Sequence, residues 1–185
     1  MAVLMSATQL IQPIRHGDSR GFFAETYSRK KYLEFWIDVE FVQDNQSLSR
    51  EKGTLRGMHF QAPPHAQAKL IRCGRGAIFD VVIDIRLDSP NYGKWEGYEL
   101  TAKNGHQLYV PVGFAHGFLT LESESEIVYK CSDYYAPGTE GSVLWSDPDI
   151  GIDWPSLNKP ILSQKDAIAP MLSDFESPFI YGENS

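Results

Sequence analysis

The sequence predicts an all-β domain of the sandwich, barrel or jelly-roll kind, and three observations carry that prediction. Short segments rich in β-branched and aromatic residues recur at roughly the 8–12 residue spacing of all-β folds. Turn formers bracket them: Gly74 and Gly76, the run Ser89, Pro90 and Asn91, the pair Asn104 and Gly105, and the pair Pro137 and Gly138. Helix signals are confined to two short stretches. In chain order the strand segments are 67–72, 77–85, 106–110, 117–121 and 127–131. The first helix covers 28–35 (SRKKYLEF) with Ser28 as its N-cap, and Lys30 and Lys31 lie on its solvated face. The second starts at Ser163 in SQKDAIAP, where Pro170 stops it. Beyond Pro170 the chain turns polar and turn-rich, which predicts a loosely held tail.

Length and charge narrow the function classes. A chain of 185 residues with 42% hydrophobic side chains builds one sizeable core. Without a repeat or a linker it reads as one domain over 1–185, its core at about 13–170 and its tail at 171–185. A net charge of −7 argues against a general nucleic-acid binder, which needs a broad basic face. No apolar run approaches the ~18 residues of a membrane span. The start, MAVLMSATQL, lacks the basic and apolar regions of a secretory signal. Cys73 and Cys131 do not form a CxxC pair and read as small core residues in a reducing compartment, with the cytoplasm as default.

Polar and ionisable residues interrupt two otherwise strand-like stretches. One runs from Gly53 to Gln61 through Arg56 and His59, with Gln67 and Lys69 close behind; the other runs from Gly105 to Gly117 through Pro111, Gly113 and His116. The second, G-x5-P-x-G-x2-H, resembles the second motif of the cupin family of small jelly-roll barrels. In the first cupin motif two histidines and a glutamate usually hold a metal. Here Gly53 and His59 keep the G-x5-H spacing, but the second histidine position is Gln61, and the next carboxylate, Asp80, lies beyond the glutamate's place. A catalytic metal usually takes three or more protein ligands, so no metal and no cofactor is expected. Nor is there a P-loop, a dinucleotide fingerprint or a serine or cysteine in a nucleophile setting. The remaining set, His59, Lys69, His116, Tyr129, Tyr135 and Asp166, suits proton transfer at a carbon beside a carbonyl: imidazole as base, a cation for the enolate oxygen, a phenol as acid.

A chain-wide resemblance sharpens this reading. Asp18 to Glu25, Val42 to Ser47, Leu55 to Gln61, Gln67 to Leu70, Asp80 to Arg86, Pro111 to Phe118, Tyr129 to Tyr135, Glu140, Trp145 to Pro148 and Leu162 to Asp166 stand in the order of the dTDP-4-dehydrorhamnose 3,5-epimerase family. The chain resembles that family from about Pro13 to Pro170. The resemblance implies a metal-free cupin jelly roll that inverts C3 and C5 of a dTDP-linked 4-keto-6-deoxy sugar. It also implies the residue roles. His59 is the base, Asp166 orients it, Lys69 stabilises the enolate at the C4 oxygen with His116 lining the same pocket, and Tyr129 is the acid. Arg20, Phe23, Glu25, Gln43, Asn45, Arg56 and Gln61 fall in the nucleotide-, diphosphate- and substrate-binding set. Tyr135 stacks on thymine, and Glu140 and Lys165 occupy further binding positions. The family implies a homodimer in which Arg20 or Phe23 serves the neighbouring subunit's site. Met58, where the family usually has leucine, and the extra His65 are the departures.

Taken singly, the same residues have plainer readings: core histidines, a helix-capping Asp166, strand tyrosines with one wet end. His16, His65 and His106 read as surface or loop residues. Three other functions use the same fold: a single-centre keto-sugar epimerase, a metal-dependent cupin such as a dioxygenase, and a non-catalytic sugar-binding jelly roll.

Overall fold

Strand periodicity decides what reaches the interior of this protein. The computed structural model describes residues 7–155 and 159–182; the ends of the domain as drawn from sequence, 1–6 and 183–185, lie outside the described residues. The strands are β1 (Gln9–Ile11), β2 (Arg15–Asp18), β3 (Gly21–Ala24), β4 (Gln43–Ser49), β5 (Leu55–Gln61), β6 (Lys69–Arg75), β7 (Ala77–Asp84), β8 (Trp95–Thr101), β9 (Gln107–Val110), β10 (Phe114–Thr120), β11 (Ser125–Cys131) and β12 (Glu140–Ser142). Two short helices accompany them, α1 (Arg29–Tyr32), continued by a 3-10 turn to Phe35, and α2 (Gln164–Ala167). One antiparallel sheet has the order β1-β9-β6-β11-β4 and the other β12-β5-β10-β7-β8, while β2 and β3 form a separate hairpin. This is the expected jelly roll.

Alternation along each strand sorts side chains between three apolar clusters. Ile71 and Cys73 of β6, Ile78 and Val82 of β7, Phe118 of β10 and Ile127 of β11 meet between the sheets with Leu100, Leu108 and Val110. The alternate residues Val81 and Ile83 of β7, Ala115 of β10, and Met58 and Phe60 of β5 point the other way and pack with Val143, Ile150 and Phe179. On the outside of the first sheet, Leu70 and Tyr109 are covered by Ile11, Tyr32 and Ile37. Each fully buried Ile or Leu contributes about 1.5–3 kcal/mol, so the three layers account for most of the stabilisation.

The C-terminal tail corrects the sequence expectation. Phe179 is 4% exposed inside the cluster around Met58. The Ser177 hydroxyl donates to the Ile85 carbonyl, and Leu87 bridges to Ile180. Asp147 accepts from the Asp149 and Leu172 amides, tying the tail to the loop after β12. Polar composition hid a few apolar anchors, and the segment up to Gly182 is docked. Both helices lie where expected; Ser28 takes the N-cap position of α1 without a side-chain capping bond, whereas Ser163 caps α2 by accepting from the Asp166 amide. Cys73 and Cys131 are buried and unpaired.

At one point β5 and β10 approach too closely for side chains. Gly57 has φ +139°, and a Cβ there would sit 2.5 Å from the Gly117 Cα; a Cβ on Gly117 would sit 2.7 Å from the Arg56 carbonyl oxygen. Only glycine accepts that φ without strain. The register shifts between His116 and Phe118 at the same point, which leaves His116 directly opposite His59.

Candidate active site

The inward row of each strand turns polar at one end of the barrel. On β4 it is Gln43, Asn45 and Ser47; on β11, Tyr129; on β6, Lys69; on β5, His59 and Gln61; on β10, His116. These residues surround a cavity of about 420 Å³ whose walls include Arg56, His59, Lys69, His116, Tyr129, Lys165 and Asp166. It opens past Lys69 and Tyr129 into a mouth of about 240 Å³ lined by Gln43, Asn45, Gln61, Tyr135 and Glu140. Phe118 and Ile127 close the floor.

His59 and Asp166, 107 residues apart, form the tightest polar contact in the cavity, with Nε2 2.6 Å from Oδ1. Asp166 is 3% exposed, held by its place at the start of α2. An ionised carboxylate only accepts, so the ring's Nε2–H donates to it and Nδ1 is left as the basic nitrogen. Burial pushes the His59 pKa below its ordinary value; Asp166 opposes this, and the positive charges of Lys69 and Lys165 add to it. The imidazole is therefore neutral, and able to take a proton, at neutral pH.

The facing sheet carries the complementary groups. Tyr129 lies opposite Asn45 and Ile71 in the register, and burial raises its pKa, so the phenol keeps its proton. Lys69 is opposite Cys131, one inward step from Tyr129. Burial lowers the Lys69 pKa, with partial compensation from Cys131, Asp80 and Glu140. A base on one sheet thus faces an acid and a cation on the other, across an interior that packed sheets hold about 10 Å wide.

His116 is 9% exposed, and its Nε2 lies 2.9 and 3.0 Å from the two carboxylate oxygens of Asp80, which is 0% exposed. Sequence reasoning gave Asp80 no role. The signal available was a carboxylate on the inward row of an otherwise apolar strand, AIFDVVID. Among the described residues no group of three or more His, Cys, Asp and Glu side chains converges as a metal site requires.

The binding residues divide three ways. Arg56 reaches the cavity wall with Nε 3.2 Å from Ser49 Oγ, while Glu140 and Lys165 form an ion pair of 2.7 Å at the mouth. Gln43 and Gln61 are occupied by the loop that carries Tyr135. The Tyr135 amide donates to Gln43 Oε1, the Ala136 amide to Gln61 Oε1, and Gln61 Nε2 to the Tyr134 and His65 carbonyls. Gln61 thus lines the mouth while its side-chain amide also positions this loop. Arg20, Phe23 and Glu25 do not line their own chain's cavity. Arg20 pairs with Asp18, Glu25 pairs with Lys31, and Phe23 is 70% exposed.

Comparison with known proteins places this architecture. The family model described as dTDP-4-dehydrorhamnose 3,5-epimerase matches residues 4–174. The dTDP-4-dehydrorhamnose 3,5-epimerase of Sinorhizobium fredii is 47% identical over 177 residues, covering 96% of this chain and 91% of that protein. The Salmonella typhimurium enzyme of the same name is 51% identical over 164 residues, covering 88% and 89%. The crystal structure of the dTDP-6-deoxy-D-glucose-3,5-epimerase RmlC from Legionella pneumophila, in complex with dTDP-4-keto-L-rhamnose, superposes with a TM-score of 0.89 at 44% identity, covering 94% of this chain and 92% of that one. With its fold, its motifs and nearly its whole length matched, the chain belongs to the dTDP-4-dehydrorhamnose 3,5-epimerase family.

Proposed function

We propose that this protein inverts C3 and C5 of dTDP-4-dehydro-6-deoxy-D-glucose, giving dTDP-4-dehydro-L-rhamnose. The observation that carries the reading is the placement of a carboxylate-oriented neutral imidazole and a protonated phenol on opposing sheets of one cavity. The C4 ketone acidifies both neighbouring C–H bonds, so a proton can leave and return without a cofactor. His59 takes the proton, the C–H electron pair becomes the enolate C=C, and the carbonyl π pair moves to O4 beside Lys69. Tyr129 then delivers a proton to the opposite face of the same carbon, which inverts it, and proton exchange with water returns His59 to its neutral form and Tyr129 to its protonated form before the second centre reacts. Positioned acid and base groups each contribute about 10²–10⁴ in rate, and removing one oxyanion donor costs roughly 3–4 kcal/mol.

The nucleotide end would lie in the mouth, thymine against Tyr135 and the diphosphate toward Arg56, whose guanidinium fork matches phosphate oxygens. For Arg20, Phe23 and Glu25 we propose a role in the neighbouring subunit of a homodimer. Phe22, Phe23, Ile14 and Trp36 leave large apolar surfaces uncovered on the hairpin and near α1, which supports such a partner. A cytoplasmic location fits two unpaired buried cysteines, and among the described residues no helix is long and apolar enough to cross a membrane.

The test is an NMR time course of the purified protein with dTDP-4-keto-6-deoxy-glucose in D₂O. Deuterium at both C3 and C5, with an NADPH-dependent reductase trapping dTDP-L-rhamnose, is the expected result. Label at one centre only would replace the reading by a single-centre epimerase, and none would remove it.

A further inference from the structure

We infer that Arg15 is the residue that positions the β2–β3 hairpin, and with it Arg20 and Phe23, for the nucleotide end of the neighbouring subunit's site. The inference rests on the epimerase reading and on the homodimer proposed with it. The hairpin belongs to neither large sheet, and two strands of four residues are marginal in water unless something fixes them. What fixes them is the Arg15 guanidinium: Nη1 donates to the Lys103 carbonyl at 2.7 Å and Nη2 to the Ala102 carbonyl at 2.8 Å. Among the described residues the hairpin makes no other hydrogen bond to the rest of the chain. The same guanidinium lies 4.3 Å from the ring centroid of Phe22, so it ties β3 as well as β2 to the body of the domain.

The turn that receives the arginine is itself held rigid. Between β8 and β9, Asn104 Oδ1 accepts from the Thr101 and His106 amides, the Asn104 amide donates to Thr101 Oγ1, and the Ala102 amide donates to the Gly76 carbonyl. These amides are used within the domain, and the Ala102 and Lys103 carbonyls are left for Arg15. Gly105, at φ +65°, completes the seat, because a Cβ there would stand 2.2 Å from Arg15 Nη2. Arginine suits the task since its planar fork meets two acceptors at once. The hairpin register pairs Arg15 with Ala24 and Gly17 with Phe22, so Arg15, Phe22 and Ala24 share one face; they line a gap of about 100 Å³ together with Ala102 and Gly105. His16 and Phe23 take the opposite face, where Phe23 is 70% exposed, and Arg20 sits in the turn at the tip. Anchoring the inner face therefore fixes the direction in which Phe23 and Arg20 are presented, clear of their own chain's cavity. A hairpin fixed beforehand loses less freedom when a nucleotide meets it, so the effect of Arg15 falls on affinity.

The experiment measures KM and kcat for dTDP-4-keto-6-deoxy-glucose with an NADPH-dependent reductase as coupling enzyme. Arg15→Met keeps the side-chain stem and removes the donors. KM should rise by about three- to thirtyfold with kcat within about threefold of wild type, because the weakened contacts serve substrate and transition state alike. A hybrid dimer of one Arg15→Met chain and one His59→Ala chain, each carrying its own affinity tag, then shows which site the hairpin serves. Its single live site has the intact His59 of the first chain and, when the hairpin reaches across, the anchored hairpin of the second, so it should return the wild-type KM. A KM for Arg15→Met raised less than about threefold overturns the inference, as does a hybrid that keeps the raised KM or a wild type that runs as a monomer. If circular dichroism shows Arg15→Met unfolded, Arg15→Lys, which keeps the charge without the fork, decides by the same criteria. Wild-type protein without turnover would instead refute the epimerase reading. Titration with dTDP still decides the anchor in that case: binding to Arg15→Met weaker by about threefold or more supports it, and equal binding overturns it.

Discussion

Replacing Asp166 by Asn should weaken His59 as a base while leaving the cavity intact. Asp166 is buried, its Oδ1 is 2.6 Å from His59 Nε2, and its amide is held by Ser163 Oγ at 3.1 Å, so the isosteric change keeps the backbone in place. A hydrogen bond to a charged group is worth about 1.5–3 kcal/mol, and this one is strongest when the ring has become an imidazolium. Its loss therefore costs roughly ten- to 150-fold in base strength. The asparagine can also turn its NH₂ toward the ring and favour the wrong tautomer, so the exchange rate should fall by about 10²-fold or more. The pH dependence has a defined sign. The active base is the deprotonated ring, so the rate rises with pH through the His59 pKa. Asp166 is the influence that raises that pKa against burial and the two lysines. Without its charge the acid limb of deuterium exchange should move to lower pH, even as the plateau drops. The assay is C3 and C5 proton exchange by NMR across the acid range, with dTDP binding measured in parallel. An acid limb displaced to higher pH, or a plateau within about threefold of wild type, would refute the assigned pairing.

Other outcomes follow from neighbouring contacts. Tyr129→Phe should slow inversion more than proton loss, because only the returning proton is removed; equal losses in epimerisation and exchange would count against the phenol as acid. On the alkaline side Lys69 has a lowered and Tyr129 a raised pKa, so the activity lost at high pH should follow Lys69, and Lys69→Arg should move that limb upward. Phe179→Ala should cost about 3–5 kcal/mol, or roughly 6–20 °C in melting temperature, because the ring belongs to the Met58 cluster; a change near zero in thermal denaturation would return the tail to a loose state. Extended dialysis against a chelator should leave the exchange rate unchanged, and a loss restored by added divalent metal would revive the metal-cupin reading.

Legibility in the sequence followed the pattern of burial. Strands with apolar inner rows, such as β7 and β11, were recognisable because Ile, Val and aromatic residues repeat at period two. β4, with the sequence QDNQSLS, has the same alternation in burial, yet its inward residues are Gln43, Asn45 and Ser47 because they face the polar end of the barrel rather than the core. A strand that lines a site loses the hydrophobic signal by which strands are found. β8 and the β2–β3 hairpin escaped as well, the hairpin because its aromatic residues remain exposed in the single chain. The tail was misjudged for a related reason: its polar average concealed Ser177 and Phe179, whose partners Ile85 and Met58 are far away in sequence.

The site itself was legible where a residue breaks the rule of its strand, and silent where it obeys one. Lys69 and His59 stood out as charge amid apolar neighbours. Asp80 did so equally, yet no local pattern says which of several buried carboxylates has a cavity partner. Asp84, four residues on, is buried too, but its oxygens take the Arg86 guanidinium and the Ser89 hydroxyl and stay out of the cavity. What separates the two is the β7–β10 register, which sets Asp80 opposite Phe118 and one inward step from His116, while Asp84 meets Phe114 at the strand's end. Strand pairing distant in sequence thus decides whether an aspartate holds a cavity histidine or fastens a turn. The test lies in exchanging the roles. Asp84→Asn should lower the melting temperature through the freed arginine and leave deuterium exchange within about threefold of wild type; Asp80→Asn, which removes the partner that positions His116 in the cavity, should slow exchange by about tenfold or more. Exchange slowed equally by both substitutions would show that net negative charge on β7, and not the register, is what the site uses.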